Sequence, residues 1–578
     1  MCIRDSSVGG LKQIHTAPEA HYAVVSDIDA DGYVLTQKNF DFKGSLDGRG
    51  HTVSNLGLSG YALIPSMSRD PQAPADSPDA RVVNLNFLNP VFDASRDEQG
   101  LLLGHMTGGL VDNVHVYGGT VTSDQSVAGL VGQASLYGSI RNCSFNGDIT
   151  TSDNSAGGIV INTMTSATVR ACAFKGSITG GQAVGGIAGM TLSNAGEVAD
   201  CHVNARIKGT NTVGGIVGNS ARSVIRNCHV QGSLEATEAP RWGGGPKLGG
   251  IVGQLDRSYG NPGDETGEGD TQEPEAVIQG CYVNLTSMTF SGTLQDEEYA
   301  GQNDTMHRIV GWSSVNDTPE ETGYDEETWE PIYGDPAPAE TALKDNYAVA
   351  TLAAAHEDFE NSPASTEGAS VDADRTGIEF FQNLGWLYGY DFENPWNMTG
   401  DQFNPSLYFE GGLLVLTPAD VTVKVDEEVA LSLRLEGEKL TEEMLEGFTC
   451  ELSDESIAEV GNVEQGADGE IVLTVKGLKE GSAALTCGLN GKTAKAVITV
   501  EKKEESGIGN VAAGQNPLRF DGRNVYADGC MIEVYSSTGA RVLTGSGSLS
   551  LHGLQGGVYI VTAVDAEGNR SSLKVSVR

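Results

Sequence analysis

Four cysteines, Cys143, Cys172, Cys201 and Cys228, recur at steps of 29, 29 and 27 residues, and Cys281 follows after one longer step of 53. Evenly stacked thiols suggest a metal ladder or a set of disulfides, but parallel in-register side chains are poorly aimed for bridging. Free cysteine is also a small apolar residue that cores bury readily. The expectation is therefore a buried, reduced structural ladder. Asp124 and Asp153 form a second constellation, 29 residues apart in matching Ser-Asp-Gln-Ser and Ser-Asp-Asn-Ser loops. In stacked coils these carboxylates would lie roughly 5 Å apart, near the spacing of a retaining glycosidase pair. Nothing basic recurs beside them and loop aspartates are ordinarily solvated, so they stand as a remote catalytic candidate. His202 and His229 stack in the same way, on the face opposite the cysteines, which rules out a shared Cys/His metal site. They read as incidental surface histidines.

Other motifs fall short of chemistry. His356-Glu-Asp-Phe-Glu360 lacks the second histidine of a zinc-protease helix. The sequence holds no GxSxG elbow, no phosphate-binding loop and no CxxC zinc spacing. Asp27-Ile-Asp29-Ala-Asp31-Gly32 begins like an EF-hand loop, but Lys38 stands where the bidentate Glu belongs.

The elements that would position these residues are repeats. Gly100, Gly129, Gly158, Gly186, Gly215 and Gly250 each open a short apolar run, at steps of 29, 29, 28, 29 and 35 residues. A second family ends at Leu85, Val114, Cys143, Cys172, Cys201, Cys228 and Cys281, at steps of 29, 29, 29, 29, 27 and 53. The runs are short and rich in Val, Ile and Thr, with glycine between them, so they are strands. About three fit in one period, for example Gly129–Gln133, Ser139–Phe145 and Asp148–Ser152. That is one turn of a right-handed parallel β-helix, an all-β solenoid. The column Asn84, Asn113, Asn142, Ala171, Asp200, Asn227, Gly280 and Asn346 favours residue types that tolerate a left-handed backbone. It predicts the corner between two sheets. The cysteines follow it, with Phe145, Phe174, Val203 and Val230 two residues on, on the same inward face.

This pattern resembles the GLUG-repeat family of bacterial adhesin-like proteins, over roughly residues 22–412. Phe42-Lys-Gly-Ser-Leu-Asp-Gly-Arg-Gly-His51-Thr-Val-Ser-Asn-Leu56 looks like its opening coil. Residues 381–409, with Leu384-Gly-Trp386, Trp396 and Asn404-Pro-Ser-Leu407, look like its closing cap, whose aromatics are expected over the open end of the helix. Residues 1–21 read as a truncated or spurious start: Met1–Ser6 resembles the false starts of metagenomic reading frames, no signal peptide is visible, and the true start is expected upstream.

Two small β-sandwiches are expected downstream. Residues 413–500, with Ser453-Asp-Glu-Ser-Ile-Ala-Glu-Val460 and Gly477-Leu-Lys-Glu-Gly481, resemble bacterial Ig-like domains of group 2. Cys450 and Cys487 fall on neighbouring strands there, and their pairing is left open. Past the linker 501–506, residues 507–578 resemble the type IX secretion sorting domain of Bacteroidetes. Asn516-Pro517, Ile532–Val542, Gly557–Val561 and Leu573-Lys574-Val-Ser-Val577 carry that likeness in order. It implies export and surface attachment or release, with the type IX machinery as a partner.

The 578 residues carry a net charge of −42 and 76 glycines. Such a field repels phosphate backbones and anionic lipid, so nucleic acid is not an expected partner. No run of about 18 apolar residues predicts a membrane span. Acidic insertions at 256–275 and 317–340 break the period, and solenoid insertions gather on one side, often the binding side. Tyr259, Tyr324 and Trp329 in them, with Trp242 nearby, offer stacking surface for a glycan or anchors for a protein. Their carboxylates are of the type that takes calcium, although the plainer reading of both insertions is disordered acidic linkers. No other cofactor is implied. The leading expectation is a non-catalytic, extracellular or outer-membrane-attached adhesin or scaffold that binds an unidentified host or cell-surface glycan or protein. A polysaccharide-acting β-helix enzyme, or the non-catalytic tail of a larger secreted hydrolase, are the alternatives.

Overall fold

The computed structural model describes residues 2–4, 8–70, 72, 80–152, 154–192, 196–221, 223–238, 245–256, 277–292, 305–313, 321–324, 331–333, 343–353, 360–389, 391–397, 405–410, 413–418, 420–436, 448–466, 470–489, 492–502 and 518–577. The chain divides into two compact units, residues 1–423 with 427–499, and residues 424–426 with 500–578.

The first unit is built on a parallel β-helix. Its coils stack in register at the step seen in the sequence: Ile140 pairs with Val169, Phe145 with Phe174 and Ile149 with Ile178. One inward column runs Tyr22, Leu46, Val82, Val111, Ile140, Val169, Val198, Ile225, Ile278 and Leu343, and every member is buried. Burying a β-branched or aliphatic side chain at each rung stabilises by about 1.5–3 kcal/mol against exposure. That is why the pattern holds so strictly. Leu11 and Ile14, from the helix Val8–Gln13 and the turn after it, join the same core. Residues 8–14, read from sequence as part of a spurious start, are therefore integral to the first coil.

Within a coil the strand bounds differ from those expected, and the expected strand Ser139–Phe145 is broken in two. One period runs Val127–Ala128, Val131–Ser135, Ser139–Arg141 and Ser144–Thr151. The break at Asn142 is the corner, where the backbone turns left-handed at φ 49°. Asn84, Asn113, Ala171, Asp200, Asn227 and Gly280 share that conformation. The column ends on Asp345, at φ 54°, and not on Asn346. Asn346 stands one place later, in register with Cys281. It is fully buried, accepting from the Cys281 amide at 3.2 Å and donating to Ile278 O at 2.8 Å.

The glycines after the short strands are required by close approach. A Cβ at Gly158 would lie 1.9 Å from Gly186 O and 2.6 Å from the Phe174 ring, and Gly129 meets the same obstruction one coil earlier. Gly100 pairs with Ala128, so Leu101 is the residue that stands over Gly129. At the other end of the column Arg308 takes the glycine place, in register with Gly250. Arg308 is 2% exposed and folds over the last coil, where its Nε donates to Glu367 O and Oε2 and its Nη groups reach Ser370 and Gly368. His307 takes the other Glu367 oxygen at 3.0 Å.

Both acidic insertions leave the stack at one corner. The first joins Val252–Asp256 to Val277–Gln279 and the second joins Val310–Ser313 to Leu343–Lys344. These strand pairs occupy equivalent places in successive coils. Register is regained across them, Ile225 pairing with Ile278 and Ile278 with Leu343.

After the coils come two four-stranded sheets. One holds Leu413–Thr417, Glu428–Glu436, Ile471–Gly477 and Ala458–Gln465; the other holds Asp420–Lys424, Lys492–Glu501, Gly481–Leu489 and Thr449–Leu452. Cys450 and Cys487 face each other across antiparallel strands and are bridged. The second unit is a five-stranded antiparallel sheet around Val525, Ile532, Val534, Val561 and Val575. No helix among the described residues is long and apolar enough to cross a membrane.

Candidate functional site

In each strand after the corner, the first residue points outward beside the inward cysteine column. That outer column runs Thr52, Asn86, His115, Ser144, Ala173, His202, His229, Tyr282 and Tyr347. Its sequence signal is composition, for an outer face of His, Ala and Tyr is unusually unpolar. The structure shows why. Residues 378–389, 391–397 and 405–410 lie along the side of the stack as a strap, and Phe381, Trp386, Trp396, Leu407 and Phe409 bury much of the column. The aromatic cap expected over the open end thus lies along the flank, while Glu367 and Arg308 close the end.

His202 and His229 are consequently not surface histidines. They are 4% and 0% exposed and stacked at 4.9 Å, with Tyr282 5.3 Å further on. His202 Nδ1 meets both Glu410 oxygens at 2.7 and 2.8 Å, and its Nε2 meets Gln231 Oε1 at 3.1 Å. Burial works against its charge, but the Glu410 carboxylate outweighs that and raises its pKa. His229 donates Nδ1–H to Pro405 O at 3.0 Å; burial, then the neighbouring His202 charge, hold it well below the ordinary histidine value.

The strap also binds the corner column, one aromatic at a time. Trp386 Nε1 donates to Gly280 O at 2.8 Å, Trp396 Nε1 to Asp200 Oδ1 at 3.4 Å, and the Tyr408 hydroxyl to Asn142 Oδ1 at 3.2 Å. Arg141 and Arg170 lie over the Phe392 ring at 4.7 and 4.8 Å. Beyond Tyr408 and Phe409 the strap ends and the columns continue uncovered into a cleft of about 390 Å³. Its floor is Asn84, Asn86, Asp112, Asn113, His115 and Asn142. Its walls are Tyr117, Tyr408 and Phe409, with Leu413, Leu414, Lys492 and Thr493 opposite.

The floor is a hydrogen-bonded ladder. Asn84 donates to Asp47, Asn113 to Asn84 at 3.0 Å and Asn142 to Asp112 at 3.0 Å. His115 bridges Asn113 Oδ1 and Ser144 Oγ, each at 2.9 Å, under the Phe409 ring at 4.9 Å. Serine, histidine and asparagine in that order resemble a nucleophile, base and orienting group. Two facts argue against such chemistry. Burial, with the Lys492 charge adding to it, holds His115 down at about 3, far below a useful general base at neutral pH. Ser144 is also absent from the cleft lining. The cleft floor contributes one carboxylate, Asp112, paired with Arg141 at 2.9 Å, where glycoside hydrolysis takes two.

The remaining candidates are dispersed. Asp124 is exposed in its loop, its main-chain carbonyl accepting from Asn154, while Asp153 lies outside the described residues. Trp242, Tyr259 and Trp329 also lie outside them; Tyr324 ends the short strand Glu321–Tyr324, paired with Pro331–Tyr333. Cys143, Cys172, Cys201, Cys228 and Cys281 are free and fully buried, and burial pushes the thiols of Cys143, Cys201 and Cys281 up. Asp29 takes the amides of Asp31 and Asn55, which engages the EF-hand-like stretch in holding the first coils together. Among the described residues no group of three or more His, Cys, Asp or Glu is arranged to hold a metal ion.

Residues 123–150 match the family model for the GLUG motif. These residues span most of one coil. No curated protein matches the chain. Solved structures similar to parts of it include domains 4 and 5 of the S-layer protein SbsC, at 21% identity and TM-score 0.14 over 16% of this chain and 52% of that one. Domains 5-6 of SbsC match at 17% and 0.15 over 29% and 97%, and the adhesin InvE of Yersinia pseudotuberculosis at 16% and 0.13 over 29% and 58%. The chain thus spans about half the length of the first of these structures.

Proposed function

We propose that this protein is a non-catalytic, extracellular or outer-membrane-attached binding protein, an adhesin or scaffold, in which the β-helix presents loops and a lateral cleft. The observation that carries the reading is the arrangement of the stack. Its core register runs unbroken across two long acidic insertions, and both insertions leave at the same corner. Solenoids place binding insertions in this way. The GLUG-motif match fits it, as does a cleft floor with one ion-paired carboxylate instead of a catalytic pair. Trp242, Tyr259, Tyr324 and Trp329 remain proposed contacts of the insertion side, with calcium as a proposed ligand of the carboxylates there. Residues 413–500 are proposed as a bacterial Ig-like spacer of group 2, and residues 507–578 as a type IX sorting signal of a Bacteroidetes protein.

The test is delivery. With a signal peptide, expressed in a Bacteroidetes host, the chain should be shaved from intact cells by external protease. Deleting residues 507–578 should strand a folded β-helix in the periplasm, because solenoid coils contact only their neighbours. Normal surface delivery of the truncated chain refutes the sorting assignment. A full chain that stays protected inside the cell refutes the surface reading.

A further inference from the structure

The strap shows what the corner column accepts. Along most of its length this column is covered by flat rings that each bring one polar atom: Trp386 on Gly280, Trp396 on Asp200, Tyr408 on Asn142. At Asn113 and Asn84 the same column lies uncovered on the cleft floor. We propose that the cleft binds a neutral oligosaccharide, a ligand that continues the strap's chemistry with pyranose rings in place of indoles and phenols. This deepens the surface-binding reading above and rests on it.

Four observations lead to that class. A volume of about 390 Å³ falls within the ~300–1,000 Å³ of small-ligand sites. The floor is built of amides, which carry two N–H groups each. Asn84, Asn113 and Asn142 each commit one to the ladder, to Asp47, Asn84 and Asp112. The second N–H of each faces no other acceptor among the described residues. These amides repeat at the coil spacing of ~4.8 Å, close to the length of one pyranose unit, so successive sugars meet equivalent partners. The walls supply apolar ring faces at Tyr117, Tyr408 and Phe409, the surfaces on which the C–H face of a sugar packs. The charges on the lining are balanced. The lining carries one ionised group of each sign, Asp112 and Lys492, and Lys492 also donates to Phe409 O at 2.8 Å. A uronate or phosphate finds no excess of cation there, and neutral hexose, pentose or N-acetylhexosamine units fit.

The experiment uses the full chain, titrated by calorimetry with cellotetraose, mannotetraose, xylotetraose and chitotetraose. Tetragalacturonate serves as the anionic probe, and a synthetic peptide of residues 381–397 as the aromatic peptide probe. At least one neutral tetrasaccharide should bind with a Kd below about 1 mM. Two variants should each weaken it tenfold or more. Asn113→Asp keeps a residue type at home in the left-handed corner but removes the N–H donors. Thr493→Trp, from an exposed position on the opposite wall, fills the cleft without touching a coil, and an unchanged thermal midpoint shows that it folds. The proposal is overturned if none of the four neutral probes binds, if binding survives Thr493→Trp unchanged, or if tetragalacturonate or the peptide alone binds. Cell-surface shaving separates the two levels. A surface-exposed chain that binds no sugar sinks the cleft and spares the surface reading, and a sugar-binding chain retained inside the cell does the reverse.

Discussion

Cys201 and His202 are consecutive, the second opening the strand His202–Gly209, and both are almost wholly buried, one inside the coil stack and the other outside it. Inside, burial follows from the period. Each coil places its cysteine, phenylalanine and aliphatic side chains on those of its neighbours about 29 residues away, so every rung is satisfied by local repetition. Outside, burial depends on a segment far along the chain: His202 is held by Glu410, 208 residues downstream. The inner ladder is redundant, with the same contact made many times over. The outer one is made of single, different contacts, and one substitution removes a whole contact. A repetitive core thus gives rigidity, and the non-repetitive flank gives the one place where the surface is individual.

The largest expected effect lies where the redundancy stops. Arg308 folds over the last coil and pairs with Glu367 at 3.2 Å, both nearly buried. Removing one partner of a buried pair leaves an uncompensated charge, at a cost of about 3–5 kcal/mol. Glu367→Ala should therefore destabilise the β-helix by that amount, read as a shifted urea midpoint by circular dichroism. A loss under about 1 kcal/mol would mean that the end of the stack is not closed by this pair.

Inside the regular coils the penalty is steric. Gly158→Ala places a methyl 1.9 Å from Gly186 O and against Phe174, so coil 158–186 must spread. Overpacking of this kind costs about 1–3 kcal/mol. The same substitution at Gly385, where an added Cβ meets nothing within 4 Å, carries only the cost of its φ of 91°. Equal losses at the two sites would break the contrast between a tight stack and a looser strap.

These two positions also mark what the sequence can and cannot disclose. The repeat step, the left-handed corners at Asn84, Asn113, Asn142 and Asp200, and the inward cysteines are written in local pattern, because each is enforced by a neighbour one period away. The last corner falls on Asp345 and not on the expected Asn346 because both residue types tolerate a left-handed backbone, and only burial separates them. Arg308 in the glycine place marks the last coil, a sign that the glycine spacing, ending at Gly250, does not use. The strap was half legible: its aromatics were evident as a cap, but where they land is decided by contacts across 100 to 270 residues, such as Trp386 with Gly280 and Tyr408 with Asn142. No spacing rule encodes those. The cleft is the remainder left by the strap, so it was invisible in turn.

The outer face should also make the protein sensitive to acid. His115 is held at about 3 and His229 well below its ordinary value. For a group whose folded pKa is depressed, the unfolded chain takes up the proton first. Stability is therefore complete above the unfolded value near 6.5 and falls as pH drops below it. His115 alone, faced by Lys492 and paired with neutral Asn113 and Ser144, should account for roughly 2 kcal/mol lost by pH 5. His115→Gln should remove that share of the pH 7 to pH 5 difference in unfolding free energy. An unchanged difference would place His115 in contact with water, outside the buried column.

His202 runs the opposite way, and this is the finest test of the comparison. Its folded pKa is raised, so the stabilisation from Glu410 is full below the unfolded value near 6.5 and is lost as pH rises through the folded one. Burial and Lys175 nearby oppose its charge, Glu410 and Gln231 favour it, and His229, stacked on it, stays neutral. Glu410→Gln keeps the shape and an acceptor for His202 Nδ1 but removes the carboxylate. The difference in unfolding free energy between wild type and variant should be about 1 kcal/mol at pH 6 and close to nothing at pH 9, where the imidazolium has gone. The variant's strap should accordingly be cut faster by protease at pH 6 and at the wild-type rate at pH 9. A difference of the same size at both pH values would show that Glu410 holds the strap by shape alone, and that the outer face, like the inner one, owes its burial to packing without charge.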